Sequence, residues 1–248
     1  MSPRDRYLTV HGRKPVLEAL ETGQPVARIH LAERLDADFT NRVLDLARAR
    51  EVRVERTSDR RLTAIARSGQ HQGVVADVQA PRMVPLMAFL EQRTGRLHAT
   101  TVLVLDHIHN PANLGMILRT ATAAGIDGVV VPDVGTAAVG PVAIKASAGV
   151  AFHAPILRVD KVEYAVTQLA DARFEIVGLE AGGDSLFDCE LAERIAVVVG
   201  NETDGLSEEV RAACHRSVSP PLANGVESLN VAVAASVVAY EMVRRALS

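Results

Sequence analysis

In the stretch Val197-Val-Val-Gly-Asn-Glu-Thr-Asp-Gly-Leu206 three valines run into a glycine, a carboxylate follows, and a second glycine precedes a helix expected from about Ser207. β-Branched residues suit a buried strand, and a glycine at its end lets a ligand approach the backbone. The same punctuation recurs upstream. Short apolar runs at 101–105, 128–131, 155–159, 174–178 and 195–199 alternate with helical stretches. That alternation predicts an α/β domain with a parallel sheet and helices on both faces. Ligands of such sheets bind in loops at the carboxyl ends of the strands. Chemistry is therefore expected in the loops after Leu105, Gly178 and Val199, and in the segment after His215.

Toward the amino terminus the pattern describes a smaller α/β module. A helix over 16–20 follows Gly12-Arg-Lys-Pro15, a strand covers 27–32, and Val43, Leu46 and Ala47 give 39–50 a helical stripe. Strands over 51–54 and 73–78 complete it. Ala80-Pro-Arg-Met-Val-Pro85 and its polar sequel read as a linker over 80–98, between a domain at 1–79 and another at 99–248. The whole chain carries 27 Lys and Arg against 30 Asp and Glu, yet residues 1–70 hold 14 against 10. The amino-terminal segment is thus the basic one, either as a solvated surface or as a phosphate-binding face.

With 248 residues, 48% of them hydrophobic, the chain should bury a substantial core. Two cysteines, Cys189 and Cys214, and no basic-then-apolar leader point to a reducing interior, with the cytoplasm as the expected location. The longest uncharged apolar-rich stretch, 229–240, falls short of the roughly 20 residues a membrane span needs. No dinucleotide fingerprint or phosphate loop is present, and Lys145-Ala-Ser-Ala-Gly149 lacks the first glycine of a nucleophile elbow. His107 and His109 beside Asp106 offer ligand types for a metal, but no Cys or third ligand stands at matching spacing, so a polar turn is the better reading and no metal is expected.

Two further segments carry chemistry-bearing residues. In Asp106-His-Ile-His-Asn-Pro-Ala-Asn-Leu-Gly-Met-Ile-Leu-Arg-Thr-Ala121 a turn at Asn110-Pro111 leads into a helix from about Asn113, with Arg119 off its apolar stripe. Asn113 is either a helix cap with Arg119 a solvated charge, or both belong to a site. In Pro220-Pro-Leu-Ala-Asn-Gly-Val-Glu-Ser-Leu-Asn-Val-Ala-Val-Ala-Ala-Ser236 a glycine-containing loop follows two prolines, and Ser228 and Asn230 mark the start of an alanine-rich helix. Such a loop either clasps a ligand or is a stiff connector.

In this order and spacing the three segments resemble the motifs of the SpoU/TrmH family, S-adenosylmethionine-dependent RNA ribose 2′-O-methyltransferases of the SPOUT superfamily. The matching positions are Asn113, Gly115 and Arg119-Thr-Ala121; Gly200-Asn-Glu202 and Gly205; and Ser228-Leu-Asn-Val231, within a resemblance covering about 100–246. Val10-His-Gly-Arg-Lys-Pro-Val-Leu-Glu-Ala-Leu20 and His71-Gln-Gly-Val-Val-Ala76 are similar to the small RNA-binding domain of the subgroup that methylates a guanosine in 23S rRNA. Pro220-Pro-Leu222 stands where the family commonly has Ile-Pro-Met, Asn224 where it has glycine, and Ala232 where it has serine.

The resemblance implies an L30e-like amino-terminal domain, a carboxyl-terminal SPOUT domain with a deep trefoil knot, and a homodimer formed through the latter. For the dimer, the last helix offers Val231, Ala234, Ala235, Val238 and Met242. It further implies that Leu179, Gly200, Gly205, Pro220 and Leu229 line a pocket for S-adenosylmethionine, and that Arg119, Asn113, Glu202, Ser228 and Asn230 serve catalysis. Because guanidinium groups keep their proton in proteins, Arg119 is expected to clamp the target phosphate and stabilise the developing alkoxide. Arg13, Lys14, Arg60 and Arg61, with Arg56 and Arg67, are the expected phosphate contacts to the RNA, 23S rRNA or a ribosome-assembly intermediate. The rival readings are a tRNA or antibiotic-resistance rRNA methyltransferase, and a non-catalytic RNA-binding or ribosome-assembly protein.

Overall fold

A computed structural model of the protein describes residues 7–93 and 99–247. The chain divides into two compact units between Ala80 and Pro81. The first contains β1 (Tyr7–His11), α1 (Arg13–Glu21), β2 (Val26–Ala32), α2 (Ala37–Ala49), β3 (Arg53–Thr57), α3 (Asp59–Ala66) and β4 (Val74–Gln79). Its four-stranded sheet has the order β1-β4-β2-β3, with β4 antiparallel to both neighbours and β2 parallel to β3. The two central strands supply the buried Ile29, Leu31, Val74, Val75 and Ala76.

Asp36 starts α2 by accepting a hydrogen bond from the Phe39 amide at 2.9 Å. That bond, with the Arg13 guanidinium 2.7 Å away, holds the Asp36 carboxyl below its ordinary range. The strand expected at 51–54 lies at Arg53–Thr57, and β1 and α3 carry too weak a pattern to be read from sequence. Only Leu62 is buried on α3, and β1 is an edge strand with one buried residue, Val10.

The second unit contains β5 (Met83–Pro85), α4 (Leu86–Gln92), β6 (Thr100–Leu105), α5 (Pro111–Ala123), β7 (Gly128–Pro132), α6 (Pro141–Ala146), β8 (Ile156–Val159), α7 (Val162–Asp171), β9 (Glu175–Ser185), β10 (Arg194–Val199), α8 (Glu208–Ala213), β11 (Arg216–Ser219) and α9 (Val231–Ala246). Its seven strands run in the order β11-β9-β10-β6-β7-β8-β5, and every pairing is parallel. Buried Val102 and Val104 join Phe89 of α4, Leu169 of α7 and Val210 of α8 in one core. The alternate residues Leu103 and Leu105 are buried as well, so the other face is also covered, and α5 packs against both α6 and α9.

The linker expected over 80–98 is corrected in part: 83–92 belong to this unit's sheet and core, while 94–98 lie outside the described residues. Proline is tolerated in β5 because it is an edge strand, where a missing amide costs least. Leu86, Phe89 and Leu90 then bury one face of α4. Helix α5 buries Leu114, Ile117 and Leu118, and a glycine sets how closely it approaches α6. A Cβ on Gly115 would come 2.3 Å from the Ala143 carbonyl oxygen, so only glycine lets α5 and α6 lie this close.

Candidate functional site

Beyond the carboxyl ends of β10 and β11, beside the middle of β9, the loops enclose a cleft of about 470 Å³. Its walls include Leu179 from β9, Val199 and Gly200 at the end of β10, residues 201–205, Pro220 after β11, and Ser228 and Leu229 before α9. Each of the five residues expected to hold a cofactor therefore lines this one cleft, with Glu202 and Ser228 beside them.

The glycine that ends β10 has a reason different from the one expected. A Cβ on Gly200 would lie 2.3 Å from the carbonyl carbon of Gly205, so its absence makes room for the chain's own return. Asn201 and Gly205 exchange both backbone hydrogen bonds, at 2.9 and 3.0 Å, with Gly205 at φ 69°. The Asn201 side-chain oxygen accepts from the Thr203 amide at 2.8 Å. This tight hairpin is closed by its own backbone and by the Asn201 side chain, and it carries Glu202 in its loop. Asn224 takes the left-handed φ of 57° that the usual glycine would supply; asparagine tolerates it better than most residues do.

Three of the five expected catalytic residues form one hydrogen-bonded string. The Asn230 amide donates to the Asn113 side-chain oxygen at 3.3 Å, and the Asn113 amide donates to Glu202. Asn113 is buried in the first turns of α5, and the N-cap is Asn110, whose side chain accepts from the Ala112 amide. Asn113 is therefore freed from capping. Asn230 does cap α9, accepting from the Ala232 and Val233 amides, and its other end reaches Asn113. Ser228 is not the cap.

Arg119 sits on the exposed face of α5, makes no hydrogen bond or ion pair among the described residues, and does not line the cleft. The expected grouping with the other four is thus not seen within one chain. In the first unit Lys14, Arg60 and Arg61 are exposed and lack side-chain partners among the described residues. Arg13 differs: it is held by Asp36 and lies 4.8 Å over the Phe39 ring.

Sequence reasoning missed Asp106 as a structural tie. Its carboxylate is fully buried and accepts from the Ser207 amide at 2.7 Å, joining the β6–α5 loop to the start of α8. A charge directly after an apolar strand was the available signal. Asn201 adds a second tie, donating to the His107 carbonyl at 2.9 Å. Cys214, packed close to Gly178, is pushed up to about 11 by burial, then by Glu180 and Asp106, so its thiol stays protonated and inert near neutrality. Among the described residues no group of three His, Cys, Asp or Glu side chains could hold a metal ion, and no helix is long and apolar enough to cross a membrane.

Two family models match the chain: the SpoU rRNA methylase family over residues 100–240, and RNA 2′-O ribose methyltransferase substrate binding over residues 9–84. A TrmH family tRNA/rRNA methyltransferase of Staphylococcus aureus is 34% identical over 235 residues, covering 94% of both chains. A tRNA/rRNA methyltransferase of Mycolicibacterium vanbaalenii is 37% identical over 240 residues, 95% of this chain and 76% of that one. Among solved structures, the SpoU methyltransferase AviRb of Streptomyces viridochromogenes in complex with the cofactor AdoMet is 28% identical with a TM-score of 0.67, covering 98% of this chain and 92% of that chain.

Proposed function

The chain belongs to the SpoU/TrmH family of RNA methyltransferases, and from that premise we propose that it methylates a ribose 2′-hydroxyl in RNA with S-adenosylmethionine as donor. The observation that carries the proposal is the cleft itself, which gathers Leu179, Gly200, Gly205, Pro220 and Leu229 around the Glu202 end of the Asn230–Asn113–Glu202 string. Its volume falls in the usual range of small-molecule sites, about 300–1,000 Å³. Its chemistry suits the donor too. Apolar Leu179, Val199 and Leu229 fit a flat ring, and Asp204 and Glu227 fit a cationic sulfonium, whereas Glu180 is already paired with Arg211 at 2.7 Å.

When bound, the cofactor supplies a methyl group already activated on sulfur. The chain's own residues then have to orient and exclude. Gly200 and the 201–205 hairpin fix one wall, and Pro220 and Leu229 close the other. Asn113, held from both sides, keeps Glu202 and Asn230 in register, and Ser228 and Glu202, which line the cleft, would orient the ribose. Arg119, unpaired and exposed, is free to take the phosphate beside the target ribose and to stabilise charge developing on its oxygen.

The substrate of the proposal is large-subunit rRNA, at a guanosine, with the first unit as docking module and Arg13, Lys14, Arg60 and Arg61 as its phosphate contacts. Lys14, Arg60 and Arg61 support this by their exposure; the internal partners of Arg13 make it the weakest of the four. The proposal includes the homodimer, the trefoil knot and a cytoplasmic location. For the dimer, Val231, Ala235 and Val238 are buried within the chain, so the outward Val233 and Tyr240 of α9 and Met116 of α5 are the better contacts. For the knot, the order β9-β10-β6 offers support, because β10 enters between two strands already laid down.

Mapping ribose 2′-O-methylation in total RNA with and without the protein tests the reading. A mark lost from large-subunit rRNA is the expected result; one lost from tRNA would move the substrate. Failure to bind S-adenosylmethionine in calorimetry, with RNA absent and present, would favour a non-catalytic RNA-binding protein.

A further inference from the structure

The loop between β6 and α5 carries two histidines that neither the cleft nor the Asn113 string uses. His107 has φ 56°, in the left-handed region where histidine is found more often than most side chains. Its ring is fixed from several sides. Nδ1 lies 2.5 Å from one oxygen of buried Asp106, and the other oxygen of that carboxylate accepts from the Ser207 amide. Because Asp106 accepts at both oxygens, Nδ1 carries the proton, and the opposite edge of the ring, Cδ2 and Nε2, lies against Gly135. Gly135 completes the seat, since a Cβ there would come 2.8 Å from the ring. The His107 side chain is nevertheless 41% exposed. The exposed ring of His109 stands edge-on to it, with centroids 5.9 Å apart and planes at 69°.

In a chain with no Trp, three Tyr and five Phe, two aromatic faces on one exposed loop stand out. Unpaired RNA bases are held by stacking on aromatic side chains, histidine included, and by hydrogen bonds at the base edge. Enzymes that act on one nucleotide of a structured nucleic acid turn it out of its stack. Asn201 places the pair relative to the cleft, because it lines that cleft and its amide holds the His107 carbonyl at 2.9 Å.

We infer that His107 and His109 form a platform that receives an unpaired nucleobase of the RNA, at the methylated nucleotide or its immediate neighbour, by stacking on their rings. The inference rests on the proposed methyl transfer to RNA in the adjacent cleft. It assigns to this loop the task of presenting the ribose.

His107→Asn removes the ring while keeping a residue that tolerates the left-handed backbone, and His109→Ala removes the outer ring. Both are assayed in the full chain with S-adenosylmethionine and two unmodified RNAs, large-subunit rRNA and bulk tRNA. The expected result is unchanged affinity for S-adenosylmethionine and a KM for RNA raised about tenfold in His107→Asn, less in His109→Ala, with kcat moving less than KM. A photoreactive benzoylphenylalanine at position 109 should crosslink to the methylated nucleotide or its neighbour. An unchanged KM in both variants, a remote crosslink, or weakened cofactor binding with RNA binding intact would overturn the platform. If the wild-type chain methylates neither RNA, the functional reading fails separately. Filter binding of the same RNAs to wild type and His107→Asn then decides the platform, with equal retention overturning it.

Discussion

Around the β6–α5 and β10–α8 loops the polar side chains are committed to one another: Asp106 to Ser207, Asn201 to His107, Asn113 to Glu202 and Asn230. On the first unit Lys14, Arg60 and Arg61 stand in solvent without side-chain partners among the described residues. On the proposed function the two regions answer different demands. Transfer of a methyl group needs reacting atoms aligned to a fraction of an ångström, which only cross-braced groups provide. Phosphate binding needs charge at roughly the right place, and long mobile side chains provide that without fixed geometry.

Damage in the braced region should be severe and local, and damage on the basic surface slight and additive. Gly200→Val is the largest expected effect: its side chain would enter the Gly205 carbonyl, and calorimetry should find S-adenosylmethionine binding lost, while Gly69→Val, with open space around it, should leave binding unchanged. Next comes Asn113→Ala, which cuts the string in the middle. Turnover should fall by about a hundredfold or more, by analogy with losing one preorganised donor at an active site. Wild-type turnover in this variant would mean the string is decorative.

Arg119→Lys sharpens the comparison, because Arg119 is catalytic by proposal yet unbraced like the surface arginines. Loss of most turnover with intact cofactor affinity would assign it to the reaction, since a point charge cannot reproduce a planar fork. On the basic surface, Lys14, Arg60 and Arg61 exchanged together for Gln should flatten the salt dependence of RNA binding, the slope falling by about one for each phosphate no longer neutralised. An unaltered slope would remove these residues from the interface.

The smallest effect concerns acid stability. Buried Glu241 is held below its ordinary range by hydrogen bonds from Arg244 and then Arg245. Its ionised form therefore favours the folded chain; the stabilisation is complete above the ordinary glutamate pKa of about 4.3 and is lost as pH falls through the lowered value. Glu241→Gln should be less stable at neutral pH and should lose less further stability on acidification, which a thermal-unfolding series in pH can resolve.

Much of the braced region was legible because its residues are unusual in kind and spacing. Gly200, Glu202, Gly205 and Asn230 could be picked out of a line of sequence, and the alternation of apolar runs with helices was enough for a parallel sheet. What could not be read was which partner each would find. Asn113 is a plausible cap in sequence, but Asn110 takes that role and leaves Asn113 for Glu202, a pairing across 89 positions. Pro81 and Pro85 read as a linker because β5 is only three residues long and lies at a sheet edge, where proline is permitted. The stripe Leu86, Phe89, Leu90 was present and would have corrected this. Arg119 shows the limit in the other direction: its motif position is clear, and nothing in one chain fixes where its side chain acts.

The ties that brace the cleft join residues 89, 94, 101 and 117 positions apart. Pairings so distant along the chain form slowly, because each requires a long loop to close before it stabilises anything. During refolding, helices and local strand pairs should therefore return well before the cleft. Far-ultraviolet circular dichroism would recover first and cofactor binding last. In a cell, the same delay would leave a growing population of chains that look folded to a spectroscopist and are still unable to hold their small ligand.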